Sequence, residues 1–294
     1  MSYHISLAPL GLAPRGSDSS RYSTFTIPVS DPATTARRTT VARVAPAADV
    51  LPENLLKFYI EFSGPMSRGE AYDHLRLLDG AGKPIDLPFL ELGEELWNPG
   101  LTRFTVLFDP GRIKSGLKPR EEAGPVLEAG KTYTLVVDDG WPDADGRPLV
   151  QPFRKTFRVT KADMAPPDPA TWKVEPPTAG TRQPLRVRFP EPLDRGLLGR
   201  LLAVVDGQGR AIAGTGQVAD DERSWSYTPA QPWVAGDAGL LVGRELEDLA
   251  GNSIGRPFEV DVFDRIEARV VAETIRLPFR VEPPTQARPG RLLP

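Results

Sequence analysis

The chain has 294 residues, 40% of them hydrophobic, with a formal net charge of -3 and no cysteine. That length accommodates two ordinary domains. The absence of cysteine excludes disulfides, thiolate metal sites and cysteine nucleophiles, and the balanced charge supplies no basic field for nucleic acid. No run approaches eighteen apolar residues, so no transmembrane segment is expected, and the start Met1-Ser-Tyr-His-Ile-Ser-Leu-Ala lacks the basic and apolar regions of a signal peptide.

Residues 1–41 read as an N-terminal extension, partly disordered, in which Tyr22-Ser-Thr-Phe-Thr-Ile-Pro-Val29 has the make-up of an extra strand. From residue 42 the chain contains one module twice. Phe58-Tyr-Ile-Glu-Phe-Ser-Gly-Pro-Met66 returns class for class as Leu185-Arg-Val-Arg-Phe-Pro-Glu-Pro-Leu193, an offset of 127 that continues from Leu78-Asp-Gly-Ala-Gly to Val205-Asp-Gly-Gln-Gly. Phe58, Ile60 and Phe62 alternate as one buried face of a strand, and Asp79-Gly-Ala-Gly82 and Asp206-Gly-Gln-Gly209 supply the positive-φ positions of hairpin turns. Further strands are predicted over Arg103-Phe-Thr-Val-Leu-Phe and Lys131-Thr-Tyr-Thr-Leu-Val-Val137. The 32 prolines and 27 glycines punctuate the chain too often for long helices; Arg195-Gly-Leu-Leu-Gly-Arg-Leu-Leu202 is the only helical candidate.

Later in each copy the offset falls to 105, pairing Asp143, Gly146 and Leu149 with Asp248, Gly251 and Ile254, so the first copy holds about 22 extra residues. The glycine-rich, charged stretch near 109–126, with Arg112, Lys114, Lys118 and Arg120 against Glu121 and Glu122, reads as an inserted surface loop. Residues 42–160 and 170–264 are thus two immunoglobulin-like β-sandwiches, making the fold all-β and antiparallel. The Pro-rich linker 161–169 favours an extended, semi-rigid connection with the sandwiches strung end to end. Residues 265–294 hold a candidate strand, Ala268–Phe279, and a tail in which Val281-Glu-Pro-Pro-Thr285 repeats Val174-Glu-Pro-Pro-Thr178, either as the remnant of a third module or by chance.

The chain resembles tandem bacterial Ig-like domains of the S-layer SbsA type. Phe62-Ser-Gly-Pro-Met66 and Phe189-Pro-Glu-Pro-Leu193 are similar to the family's strand-ending element, and Leu246-Glu-Asp-Leu-Ala-Gly-Asn-Ser-Ile254 to its late turn. Leu127-Glu-Ala-Gly-Lys-Thr-Tyr-Thr-Leu135 resembles its strand entry, whereas Trp233-Val-Ala-Gly-Asp-Ala-Gly-Leu-Leu241 lacks the tyrosine. The resemblance implies a non-catalytic spacer, adhesion or surface module of an exported bacterial protein, in the periplasm, envelope or outside the cell, whose partner is a protein or glycan not named by the sequence.

Candidate chemistry is sparse. Asp138, Asp139, Asp143 and Asp145 in one glycine-bearing turn are oxygen donors suited to calcium, but the same residue types favour turns for backbone reasons. His74 with Ser63 or Ser67 lacks the nucleophile elbow of a hydrolase. The carboxylate pairs Glu94–Glu95 and Glu121–Glu122 have nothing to separate an acid from a base. Of the five tryptophans, Trp97 and Trp141 sit near turns where a sugar ring would stack, the basis of an alternative reading as a carbohydrate-binding module; Trp225-Ser-Tyr227 instead alternates as a buried strand.

Overall fold

The computed structural model describes residues 4–5, 25–26, 38–113, 124–256 and 274–284. In the N-terminal unit, residues 1–38, β1 (His4–Ile5) pairs antiparallel with β2 (Phe25–Thr26), which falls inside the strand expected over 22–29. The rest of the described chain forms two β-sandwiches.

In the first, β3 (Val41–Ala45), β5 (Lys57–Phe62) and β7 (Arg103–Leu107) form an antiparallel sheet. The opposing sheet runs β4 (Val50–Pro52), β9 (Phe153–Thr160), β8 (Thr132–Val137) and β6 (Leu75–Leu78), with β4 parallel to β9. Alternation along each strand sends Phe58, Ile60, Phe62, Phe104 and Val106 from one sheet against Leu77, Leu135, Val137 and Phe157 from the other, all buried. A one-turn helix α1 (Pro110–Ile113) follows β7.

The second sandwich repeats the plan. One sheet runs β10 (Lys173–Glu175), β11 (Leu185–Arg188), β14 (Ser224–Pro229) and β13 (Gly214–Val218). It faces β12 (Leu202–Asp206), β15 (Gly236–Gly243) and β16 (Thr274–Val281) across a separate core that includes Leu185, Val187, Val204, Leu240 and Phe279. The turn after β11 forms a one-turn helix α2 (Arg195–Leu198). Both expected hairpin turns form, with Gly82 at φ 82° and Gly209 at φ 80°, each closed by a hydrogen bond to the carbonyl of the Asp three positions earlier.

Register refines the repeat. Ile60 faces Phe104 as Val187 faces Trp225, and Leu77 faces Leu135 as Val204 faces Leu240. The offset is therefore 127 at Ile60/Val187, 121 at Phe104/Trp225 and 105 at Leu135/Leu240. The extra residues of the first copy are split, six before β7 and sixteen after it, rather than gathered in the single loop near 109–126. Lys114, Lys118, Arg120, Glu121 and Glu122 lie outside the described residues.

A second correction concerns the end of the second sandwich at 264. Its last described strand is β16, which pairs along its full length with β15 and buries Phe279 and Val281 in the second core. Val281-Glu282 thus closes this sandwich, and Glu282 bridges Thr178 in parallel, so the end of the first Val-Glu-Pro-Pro-Thr stretch meets the start of the second. The missing tyrosine of the second copy is also accounted for. Its position is Ala238, and Trp233 packs edge-on against Phe279 from the neighbouring loop, where Tyr133 stacks on Phe157 in the first copy.

Candidate functional site: a buried ionic junction

β5 buries Phe58, Ile60 and Phe62, so period two turns Lys57, Tyr59 and Glu61 to the outer face of its sheet. That face is covered by the second sandwich. The Lys57 ammonium lies 2.9 Å from Asp194 Oδ2 and 2.9 Å from Glu247 Oε2, and the Tyr59 hydroxyl donates to Asp194 Oδ1 at 2.8 Å. Asp194, only 2% exposed, also caps α2 by accepting the Leu197 N–H at 2.8 Å. One carboxylate thus holds a helix start, a phenol and a cation. The next residue but one must be small: a Cβ on Gly196 would stand 2.7 Å from the Tyr59 oxygen.

Further contacts extend the junction. Arg195 Nε reaches Glu61 Oε1 at 3.2 Å while its terminal nitrogen donates to the Ala219 carbonyl. Glu222, fully buried and held at φ 55°, accepts the Ala47 N–H at 2.8 Å; a left-handed backbone at a non-glycine residue is uncommon and is maintained here by the surrounding contacts. The Arg103 guanidinium lies 5.3 Å from the centre of the Tyr59 ring. Three more hydrogen bonds add to it: Leu56 N–H donates to the Leu249 carbonyl, and the side-chain amides of Asn54 and Asn252, one from each sandwich, both donate to the carbonyl of Asp163 in the linker. The linker is therefore pinned from both sides, and the cavity left among Lys57, Tyr59, Asp194, Arg195 and Glu222 is ≈10 Å³. The end-to-end expectation needs correcting, because the second sandwich leans on the outer face of β5 through α2.

Electrostatics follow from this burial. Desolvation alone would lower the Lys57 pKa, but the Asp194, Tyr59 and Glu247 groups outweigh it and hold the ammonium above the ordinary lysine range. Burial, with Asp194 adding to it, raises Tyr59, which stays a hydrogen-bond donor. Burial likewise raises Glu222 against the opposing Ala47 N–H and the Arg195 charge. Lys155 is lowered by burial, and its ammonium donates to the Ala47 and Ala48 carbonyls at 2.8 and 3.0 Å.

A cleft of ≈590 Å³ beside the junction is lined by Asp49, Lys161, Asp163, Glu191, Arg223 and Asp248 among others. Burial, with the Asp163 charge adding to it, pushes Asp248 up to about 7 even though Asn252 and Ala250 donate hydrogen bonds to it. An unfolded aspartate titrates near 3.9. The folded state therefore binds this proton more tightly, and stability from this group is greatest below about pH 4, falls as pH climbs to about 7 and is flat above. The repeat supplies a control. Asp143 occupies the equivalent position, where burial is outweighed by the Arg147 and Asp145 N–H groups and the Arg147 charge, so its pKa is lowered and its contribution is lost on acidification instead. Thermal melts between pH 5 and pH 8 are expected to show Asp248→Asn removing a decline that the parent chain displays, with Asp143→Asn leaving that decline in place; parallel profiles for the parent and Asp248→Asn would refute the assignment.

The sequence candidates do not converge. Asp143 accepts from Thr39 and the turn backbone, Asp145 pairs with Arg147, Asp138 accepts the Gly140 N–H, and Asp139 contributes its carbonyl to Leu149. Among the described residues no group of three His, Cys, Asp or Glu side chains is arranged to hold a metal ion. His74 stacks on Trp141, while Ser63 accepts from Thr40 and Ser67 donates to the Pro142 carbonyl. Trp141 requires correction as a ligand platform: it is fully buried between Phe62, Phe104 and Trp97, because the turn that carries it points the ring into the first core. Trp97 is half-buried, bridges Phe104 at the sheet edge and spends its N–H on Glu95. Trp225 is buried, as its alternation predicts. Sequence reasoning missed Lys57, Tyr59, Asp194 and Glu247; the one available sign was an aromatic, Tyr59, on a face otherwise charged.

These features define a tandem of two immunoglobulin-like β-sandwiches locked by a buried ionic junction. No helix among the described residues is long and apolar enough to cross a membrane. No protein-family model and no curated protein matches the chain. Among solved structures, domains 1-6 of the surface layer protein SbsC share 13% identity over 84% of this chain and 26% of that one, at TM-score 0.29. Native alpha-2-macroglobulin from Escherichia coli, spanning domains MG0-NIE-MG1, shares 10% over 76% of this chain and 70% of that one, at 0.28. The N-terminal Ig1-2 module of the Drosophila receptor protein tyrosine phosphatase DLAR shares 11% over 74% and 92%, at 0.23. The chain spans about a quarter of the SbsC fragment. The fold class is defined by the strand order and register given above, independently of these likenesses.

Proposed function

We propose that the chain is a non-catalytic structural module of an exported or envelope-associated bacterial protein, in which two Ig-like sandwiches act as one stiff spacer or adhesion segment. The observation that carries this reading is the junction: a partly buried lysine bonded to two carboxylates of the other sandwich, and a linker peptide held by an asparagine from each. A flexible connector would leave these groups solvated; a stiff spacer has a use for fixing them. The surface placement rests on the sequence resemblance to S-layer Ig-like domains. The carbohydrate alternative loses Trp141 as a stacking surface, and nothing else in the site favours it.

The test uses the absence of cysteine. Spin labels at Ala81→Cys and Gln208→Cys, exposed residues of the equivalent hairpin turns, report the separation of the sandwiches. One narrow distance distribution, retained at high salt, is expected, since buried pairs are screened far less than surface ones. A broad or salt-dependent distribution would remove the stiff-spacer reading.

A further inference from the structure

The second sandwich carries an open groove at the place the first sandwich fills from within. A cavity of ≈410 Å³ lies between the β12–β13 turn and the β14–β15 connection, lined by Ile212, Ala213, Ala230, Trp233, Val234 and Val281 among others. Val234 is 84% exposed there, the most exposed large hydrophobic residue described. Pairing identifies the same place in the first sandwich. Phe108 bridges Phe89 as Pro229 faces Gly214, so Ala230 corresponds to Asp109; Pro84 bridges Leu78 as Ala211 bridges Val205, so Ile212 and Ala213 correspond to Ile85 and Asp86.

At that place the first sandwich has its insertion. α1 begins directly after Asp109, and Arg112 donates to the carbonyls of Asp86, Leu87 and Gly124 at 3.0, 3.0 and 3.1 Å. Ile113, next to it, is buried, together with Val126 and Leu127 from the returning end of the insertion. An arginine followed by an aliphatic residue thus closes the groove in the first copy. The second copy has no insertion, and β14 passes to β15 through residues 230–235 alone.

We propose that the groove of the second sandwich is a docking site for an arginine-aliphatic segment and that its occupant is the chain's own Arg291-Leu292-Leu293. Three observations choose this occupant. The order, Arg then Leu, is that of Arg112-Ile113. Val281, the last residue of β16, itself lines the groove, so the tail starts at its wall. The segment 285–294 lies outside the described residues and is ten residues long, which at about 3.3 Å per residue is ample to reach back across the groove. Docking would bury Val234 and the two leucines together, the burial that Ile113, Val126 and Leu127 achieve in the first copy.

The test compares backbone hydrogen exchange in the full chain, in a chain ending at Pro284, and in the full-length Leu292→Asp/Leu293→Asp variant. Exchange over residues 230–238 is expected to quicken by about tenfold or more in both variants, with residues 45–59 at the junction unchanged, and a synthetic peptide of residues 286–294 is expected to restore protection to the shortened chain. Equal exchange over 230–238 in all three proteins would overturn the proposal. Protection that the full chain loses on dilution would also overturn it, by assigning the groove to the tail of a second copy.

Discussion

Asp194→Ala is expected to destabilise the chain by about 3 kcal/mol, the lower end of the range for breaking a buried ion pair because Lys57 is partly exposed and retains Glu247, and to split unfolding into two transitions where the parent shows one. Three losses combine. Lys57 keeps only Glu247 of its two carboxylates, the Tyr59 hydroxyl loses its acceptor, and α2 loses its cap. The cap alone accounts for about 1 kcal/mol. Asp194→Asn separates these effects, since an amide oxygen still serves the Leu197 N–H and the phenol while removing the charge. Lys57→Met removes the other charge and leaves an apolar stem of similar length. In a double-mutant cycle, Lys57→Met with Asp194→Asn is expected to cost less than the two single changes together, by the roughly 0.5–3 kcal/mol typical of residues in direct contact. Denaturant melts followed by fluorescence and circular dichroism supply the measurement. A parent that already melts in two steps, with Asp194→Ala moving only the second and by about 1 kcal/mol, would reduce Asp194 to a helix cap and leave the junction without energetic weight.

What could be read from the sequence was whatever lies within one strand or one turn. Phe58, Ile60 and Phe62 declare their buried face through period two, and the Asp79–Gly82 and Asp206–Gly209 turns declare themselves through residues that tolerate positive φ. The junction was hidden for a related reason. Period two separates Lys57, Tyr59 and Glu61 from the core face, but it is silent on what covers the other face, and the covering carboxylate of Asp194 is 135 positions away from Tyr59. β16 was obscured in the same way: its partner β15 ends at Gly243, thirty residues before it starts, and no local pattern specifies a pairing across that distance. The Asp143/Asp248 pair shows a subtler limit. Both sequence contexts read as the same Asp-x-x-Gly turn, yet burial, reinforced by Asp163 from the linker, raises Asp248, whereas at Asp143 burial is outweighed by the Arg147 and Asp145 N–H groups and the Arg147 charge.

Trp141→Ala is expected to destabilise the first sandwich by about 3–5 kcal/mol, the range for deleting a fully buried large aromatic ring, with the denaturant midpoint falling and the slope unchanged. Phe62, Phe104 and Trp97 surround the indole with ring centres 5.2, 5.7 and 5.8 Å away, and His74 stacks on its remaining face. A close-packed site of this kind cannot collapse around an alanine without moving several rings at once. Trp97→Ala is expected to cost about half as much, because the ring is only half-buried; its main loss is the indole hydrogen bond to Glu95, a carboxylate that also accepts the Gly69 and Ala71 N–H groups. The ranking is the informative result. A sugar platform made of Trp97 and Trp141 would let either be removed with little effect on stability and a large effect on binding, whereas packing demands the larger stability loss at Trp141. A Trp141→Ala chain with the parent's denaturant midpoint and near-ultraviolet dichroism would refute the core assignment. Trp141→Phe refines the test, since it retains most of the apolar volume and is expected to recover much of the stability that alanine loses.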